Sequence, residues 1–283
     1  MFVIVVVLIV VGLALGSFCN ALVWRLHEQA KIAKSKKSKK TKARLKKLSI
    51  FRGHSMCPSC GQELAVRDLL PVFSWLWLRG KCRYCQKQVA KQYPLVEIIV
   101  PGLFVFSYYF WPLGFSGVGL FQFILWLAFI VGFTALSVYD LRWKLLPNRI
   151  VFPLIGLAAW QALIMITVFG GDLSSLLGAV YGVLIAAGFF FVLFEVSRGR
   201  WIGGGDVKLG VILGLILAEP AEAVLMLFIA SLAGTIASLP FMIFGHMNRR
   251  SQVPFGPFLM LATVITYLFG AGVITWYKNL FIG

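Results

Sequence analysis

The stretch GLFQFILWLAFIVGFTALSVY, residues 119–139, carries no charged side chain and ends against Asp140. A bilayer core needs about 20 apolar residues per helix, so this run has the length of a membrane span. Similar runs occupy 1–24, 95–112, 150–169, 174–194, a short 207–218, 221–244 and 255–277. Between them lie Gly170-Gly171-Asp172, Arg198-Gly199-Arg200, Glu219-Pro220 and Asn248-Arg249-Arg250. The pattern predicts about eight spans. Composition agrees: 60% of the residues are hydrophobic and 13% charged, against roughly half apolar in a soluble domain.

The net charge of +17 would suit a nucleic-acid binder, but most basic residues crowd between Arg25 and Lys91, beside apolar spans. Charge placed this way reports topology, and no nucleic-acid partner is expected. Loops 25–94, 140–149, 195–206 and 245–254 carry Lys or Arg, whereas 113–118, 170–173 and 219–220 carry none. The positive-inside rule then puts both termini outside and the basic loops in the cytoplasm of a multi-pass membrane protein. Residues 1–24 lack a basic segment before the apolar run, so they read as an uncleaved reverse anchor rather than a signal peptide.

Within the first basic loop, Cys57-Pro-Ser-Cys60 and Cys82-Arg-Tyr-Cys85 stand 21 residues apart. Two CxxC turns can complete a closed four-thiolate shell around structural zinc. The competing reading, two disulfides, conflicts with a reducing cytosol. Metal binding would also supply folding energy that so small a loop lacks. Cys19, inside the first span, reads as a packing residue. The run Lys31–Lys47, dominated by lysine, cannot fold alone and suits anionic lipid headgroups. The expected fold class is an all-α polytopic membrane protein with a small zinc-binding cytoplasmic subdomain. It divides into an anchor, 1–24, the cytoplasmic loop, 25–94, and a membrane domain, 95–283.

Only ten acidic residues occur, and Glu97, Asp140, Glu195 and Asp206 sit in or beside apolar spans, where charge marks function by default. Asp140 opens Asp-Leu-Arg-Trp-Lys-Leu-Leu-Pro-Asn; Asp206 lies in Gly203-Gly204-Gly205-Asp206-Val-Lys208. Both belong to basic loops, hence to one membrane face. The glycines are expected to permit unusual backbone geometry and close helix approach, letting the two aspartates meet. Paired carboxylates share one proton: one activates water while the other polarises a carbonyl. Lys208 either steadies that pair or anchors the topology. A proton-coupled transporter is the rival class, but it would show paired broken spans and would not need four cysteines.

Gly203-x-Gly205-Asp206 followed by Val-Lys-Leu, with Asp140 and Leu145-Leu146-Pro147-Asn148, resembles the type IV prepilin leader peptidases, aspartyl proteases with a GxGD motif. Gly16-Ser17-Phe18-Cys19-Asn20, Asp68-Leu-Leu-Pro71, Arg79-Gly-Lys-Cys82 and Tyr93-Pro94-Leu95-Val96-Glu97 extend the likeness over most of the chain. One departure is His27 after Arg25-Leu26, where the family has proline; another is a longer basic insertion. The resemblance implies that Asp140 and Asp206 are the catalytic pair and that the four cysteines bind zinc. It implies a place in the bacterial inner membrane and prepilin or pseudopilin substrates, cut after a glycine that ends a basic leader. It further implies N-methylation of the new terminus with S-adenosylmethionine, for which Glu97 is the candidate residue. A peptidase without methylation, or a related intramembrane aspartyl protease, is the alternative within the enzyme class.

Overall fold

The computed structural model describes residues 1–34, 48–50, 53–168, 170, 172–243 and 253–281. Most of the lysine run and the Asn248-Arg249-Arg250 break lie outside the described residues. The described chain is helical, with two isolated β-bridges and no longer strand. Its helices are α1 (Phe2–Lys34), α2 (Phe73–Trp77), α3 (Gln92–Tyr109), α4 (Val118–Trp143), α5 (Asn148–Thr167), α6 (Leu173–Ser197), α7 (Gly204–Leu217), α8 (Pro220–Ile243) and α9 (Gly256–Phe281), with a 3-10 turn at Val66–Leu69.

Six of them (α1, α4, α5, α6, α8 and α9) are long and apolar enough to cross a membrane. This chain is a polytopic membrane protein. Their apolar residues surround the axis rather than forming one stripe, as expected of helices facing lipid as well as protein. Two of the eight expected spans fall short of that length and apolarity. Helix α7 has 14 residues, roughly 21 Å at 1.5 Å per residue, against a core of about 30 Å. Helix α3 carries Gln92, Tyr93 and Glu97 in its first two turns.

The chain divides into two compact units. The first comprises Met1–Tyr109 with Ile130–Ala135 of α4. Here α1 pairs with α3 at backbone contact: a Cβ on Gly12 would lie 2.5 Å from the Pro101 Cα, and one on Gly16 2.8 Å from the Glu97 Cα. The buried Cys19 thiol reaches the Val131 carbonyl at 3.4 Å. Toward the C-terminal end of α1, Arg25 donates to the carbonyls of Ser49, Ile50 and Gly53, and Gln29 to that of Leu48. One buried guanidinium thus fixes the chain where it returns to α1.

The second unit comprises Phe110–Phe129 and Leu136–Gly283. Its tightest seam joins α6 and α7, where Cβ atoms on Gly182 and Gly214 would each fall within 2.7 Å of the other's carbonyl oxygen, and one on Gly210 2.8 Å from the Ala187 Cα. In lipid, where apolar burial drives helices together weakly, such small-residue packing substitutes for it. Left-handed residues Lys144, Arg198 and Ala218 end α4, α6 and α7, each turning the chain after its helix.

Candidate active site and metal centre

In the second unit, Asp140 lies in the last turn of α4 and Asp206 in the first turn of α7. The two carboxylates are near enough to interact electrostatically. Asp140 is buried, and its Oδ2 accepts the Gly256 N–H at 3.2 Å, the first residue of α9. Free N–H groups and the positive end of the helix dipole make that terminus suited to a carboxylate. A Cβ on Gly256 would stand 2.7 Å from Asp140 Oδ2, so only glycine lets the terminus come this close. The sequence reading passed over Gly256; its signal was Phe255-Gly256-Pro257, a helix start with proline just inside.

The glycines before Asp206 work differently from the expectation. None of Gly203, Gly204 and Gly205 has a positive φ. Gly203 caps α7 from the extended region (φ −79°, ψ 149°), a conformation open to any residue. What they provide is proximity: a Cβ on Gly205 would lie 3.2 Å from the Leu146 side chain. The Leu145-Leu146-Pro147-Asn148 segment thereby seats against the start of α7. Lys208 donates to Asn148 Oδ1 at 2.9 Å and lies 5.5 Å from the Phe152 ring centre. It joins α7 to α5 rather than ion-pairing with either aspartate. Glu195, near the end of α6, is exposed.

In the first unit, Cys57, Cys60, Cys82 and Cys85 converge, their Sγ atoms all within 4.8 Å of one another. Tetrahedral zinc with Zn–S bonds of about 2.3 Å places sulfurs about 3.8 Å apart, and Cys57 and Cys85 stand at 3.9 Å. The four thiols therefore fit such an ion. Two matching turns build the cluster. Cys57 N–H donates to Gln62 C=O and Gly61 N–H to Cys57 C=O; Cys82 N–H donates to Lys87 C=O and Gln86 N–H to Cys82 C=O. Gly61 and Gln86 occupy the same left-handed position, at φ 73° and 57°. Burial pushes the Cys82 thiol up, but hydrogen bonds from the backbone N–H groups of Cys85 and Tyr84 and from the Cys57 and Cys85 thiols outweigh it, bringing it down to about 7.

Asp68 ties the 3-10 turn to the second CxxC. Its carboxylate accepts Arg83 Nε at 2.7 Å and the Tyr84 hydroxyl at 3.1 Å. Burial acts to raise its pKa, but those two bonds, the Arg83 charge and the Ala65 N–H overcome it and hold the carboxyl below its ordinary value. Glu97 is buried on α3, where its Oε2 accepts the Val72 N–H at 2.7 Å and Ser17 of α1 donates to it. Val72 has φ 63° and ψ −50°, and Phe73 N–H reaches Pro71 C=O at 2.6 Å. This is a γ-turn of the rare positive-φ kind, strained most at a β-branched residue. Glu97 borders a cavity of ≈ 140 Å³, also lined by Asn20, Trp24, Trp75 and Tyr93.

Residues 10–111 match the family model described as the bacterial peptidase A24 N-terminal domain, and residues 127–239 that of the type IV leader peptidase family. A prepilin leader peptidase/N-methyltransferase of Stutzerimonas stutzeri is 31% identical over 95% of this chain and 92% of its own length. The chain belongs to the type IV leader peptidase family. Proteins of the same name from Burkholderia pseudomallei (33% identical, 93% of this chain, 84% of the relative) and Bacillus subtilis strain 168 (29%, 83% and 90%) resemble it comparably. No solved structure matches significantly. The leader peptidase model covers the α4-to-α8 part that holds both aspartates, and the N-terminal model covers the cysteine cluster and Glu97.

Proposed function

We propose that this chain removes the short basic leader from type IV prepilins or pseudopilins with Asp140 and Asp206, then methylates the amine that cleavage exposes. One observation carries the reading: two carboxylates from separate helices converge in a member of a leader peptidase family whose relatives are named for both activities. A proton-coupled transporter is disfavoured by that membership.

One carboxylate of the pair takes a proton from water, whose oxygen attacks the scissile carbonyl carbon. The other, protonated, donates to the carbonyl oxygen as the tetrahedral intermediate forms. When the C–N bond breaks, a hydroxyl of the tetrahedral intermediate returns its proton to the pair as the amine leaves with a proton from it, so the pair ends with the single proton it began with. Which aspartate holds that proton belongs to the dyad as a unit. The Gly256 N–H on Asp140 supports its ionised form, and Leu146 against Gly205 fixes the spacing.

In this reading 95–112 and 207–218 join the six long spans in an eight-span bundle, ordered as anchor 1–24, loop 25–94 and peptidase domain 95–283. Both termini face outward and the dyad lies at the cytoplasmic face, because Arg142, Lys144, Arg149, Arg198, Arg200 and Lys208 cluster on its loops. The lysine run meets anionic headgroups, and nucleic acid has no part. Zinc bound by Cys57, Cys60, Cys82 and Cys85 would staple the loop. S-adenosylmethionine supplies an electrophilic methyl group when bound; the Glu97 carboxylate with the aromatic faces of Trp24, Trp75 and Tyr93 suits its sulfonium charge. Glu97 would orient donor or amine.

The test is mass spectrometry of a pilin-like substrate incubated with purified enzyme and S-adenosylmethionine, with Asp140→Asn and Asp206→Asn alongside. A trimmed and methylated product, absent from both variants, is expected. Trimming without the methyl mass would leave a peptidase alone, and trimming by either variant at a rate close to the parent's would overturn the aspartyl mechanism.

A further inference from the structure

Between the two CxxC turns, the segment from Val66 to Trp77 presents Val66, Leu69, Leu70, Phe73, Leu76 and Trp77 to its exterior. Val66 is 84%, Phe73 68% and Trp77 86% exposed. In a zinc-stapled loop of this size six large apolar side chains exposed within twelve residues mark an interaction site rather than leftover surface, brought out by two short helical pieces on either side of the extended Leu70 and the γ-turn at Val72. The 3-10 turn and α2 supply helical backbone at its two ends. We infer that this face is an interfacial anchor, inserted among the headgroups and upper acyl chains of an anionic bilayer leaflet.

Depth is fixed by contacts within the same unit. The turn before α2 is held by Glu97, which accepts the Val72 N–H and packs its backbone on Gly16 of α1. Gly16 lies nine residues before Arg25, the first charged side chain in the chain. At 1.5 Å per residue, the Gly16–Glu97 contact lies roughly 13 Å on the hydrocarbon side of that charge, and Val72 is held one glutamate side chain away from it. Helix α1 is a span, so its apolar stretch gives the level of the bilayer, and the Phe73–Trp77 helix starts at that level.

Charge favours the same occupant. From Val66 to Lys91 the chain carries Arg67, Arg79, Lys81, Arg83, Lys87 and Lys91 against a single acid, Asp68, which is already bound to Arg83. Basic residues flanking an apolar face with tryptophan at its edge are the recognition chemistry of an anionic membrane surface. An apolar segment of a protein substrate is the competing occupant, but it would not require so many cations around the face.

The anchor is tested with the full-length chain in phosphatidylglycerol-containing nanodiscs, carrying a photoreactive benzophenone amino acid in place of Trp77 or, as control, of the exposed Gln62. Zinc content and cleavage of a pilin-like substrate confirm that both proteins are folded. Lipid adducts several-fold more abundant from position 77 than from 62, and reduced when Phe73→Asp is added, are expected. Equal lipid yields at the two positions would overturn the inference. So would a position-77 probe that adds to the pilin-like substrate in place of lipid, which would make the face a substrate dock.

Discussion

The cysteine cluster and the aspartate pair both join residues far apart in sequence, yet they are built by opposite means. Each half of the candidate metal centre is a self-contained turn whose hydrogen bonds run over a few residues, and a bound ion would need only to bring two such halves together. The dyad has no local frame: Asp140 ends one helix, Asp206 begins another, and the N–H that supports Asp140 starts a third. A motif built locally tolerates change around it. A site built from helix ends inherits every displacement of those helices.

Removing the metal should have the largest effect and the narrowest reach. Chelation or Cys57→Ser should eliminate bound zinc and unfold the loop, since structural zinc provides on the order of 10 kcal/mol to such folds. Metal analysis and amide exchange over 55–90 would register this, with part of the cleavage activity surviving; complete loss of cleavage would break the contrast between the regions. Conversely, Asp140→Asn or Asp206→Asn should lower cleavage by roughly 10²–10⁴-fold with zinc content unchanged. Gly256→Ala leaves both carboxylates in place but drives a methyl group against Asp140. A loss of about 10²-fold in cleavage rate, as for a misplaced reacting group, would show how little displacement the dyad tolerates.

Two smaller changes probe the loop. Asp68→Asn removes a carboxylate bound by Arg83 and Tyr84, and should cost the loop about 1–2 kcal/mol at neutral pH. Because the folded state holds this carboxyl below its ordinary value, its stabilisation is present above the usual carboxylate range and is lost as pH falls through the folded pKa. Exchange rates of parent and variant should therefore converge in acid. Gln86→Gly should stabilise the loop by about 1 kcal/mol, since glycine adopts the left-handed turn without strain; an unchanged loop melting temperature would count against that.

The same contrast explains what the sequence reveals. CxxC spacing is local, so Cys57, Cys60, Cys82 and Cys85 announce their cluster. The aspartates stand out because charge at the end of an apolar run is costly. Val72 stays hidden, for its contribution is a backbone N–H, which no side-chain pattern marks; Gly256 is marked by Pro257 as a helix start but not as the donor to Asp140. Glu97 is visible as an acid but its partners are not, since Ser17 and Val72 reach it only through the packing of α1 on α3. Eight apolar stretches can be counted in the sequence, yet α7 forms only 14 helical residues, because Gly203 caps it at one end and Ala218 at the other.

The α6–α7 seam bears on how such a chain can vary over time. Lipid-facing positions on these helices can exchange one apolar residue for another with little consequence. Gly182, Gly210 and Gly214 cannot, because any side chain would separate the helices and carry the start of α7 with them. A substitution at Gly214, about two turns from Asp206, should thus displace the proposed dyad without touching either aspartate. Inherited loss of activity should accordingly accumulate along this glycine track as well as at the dyad.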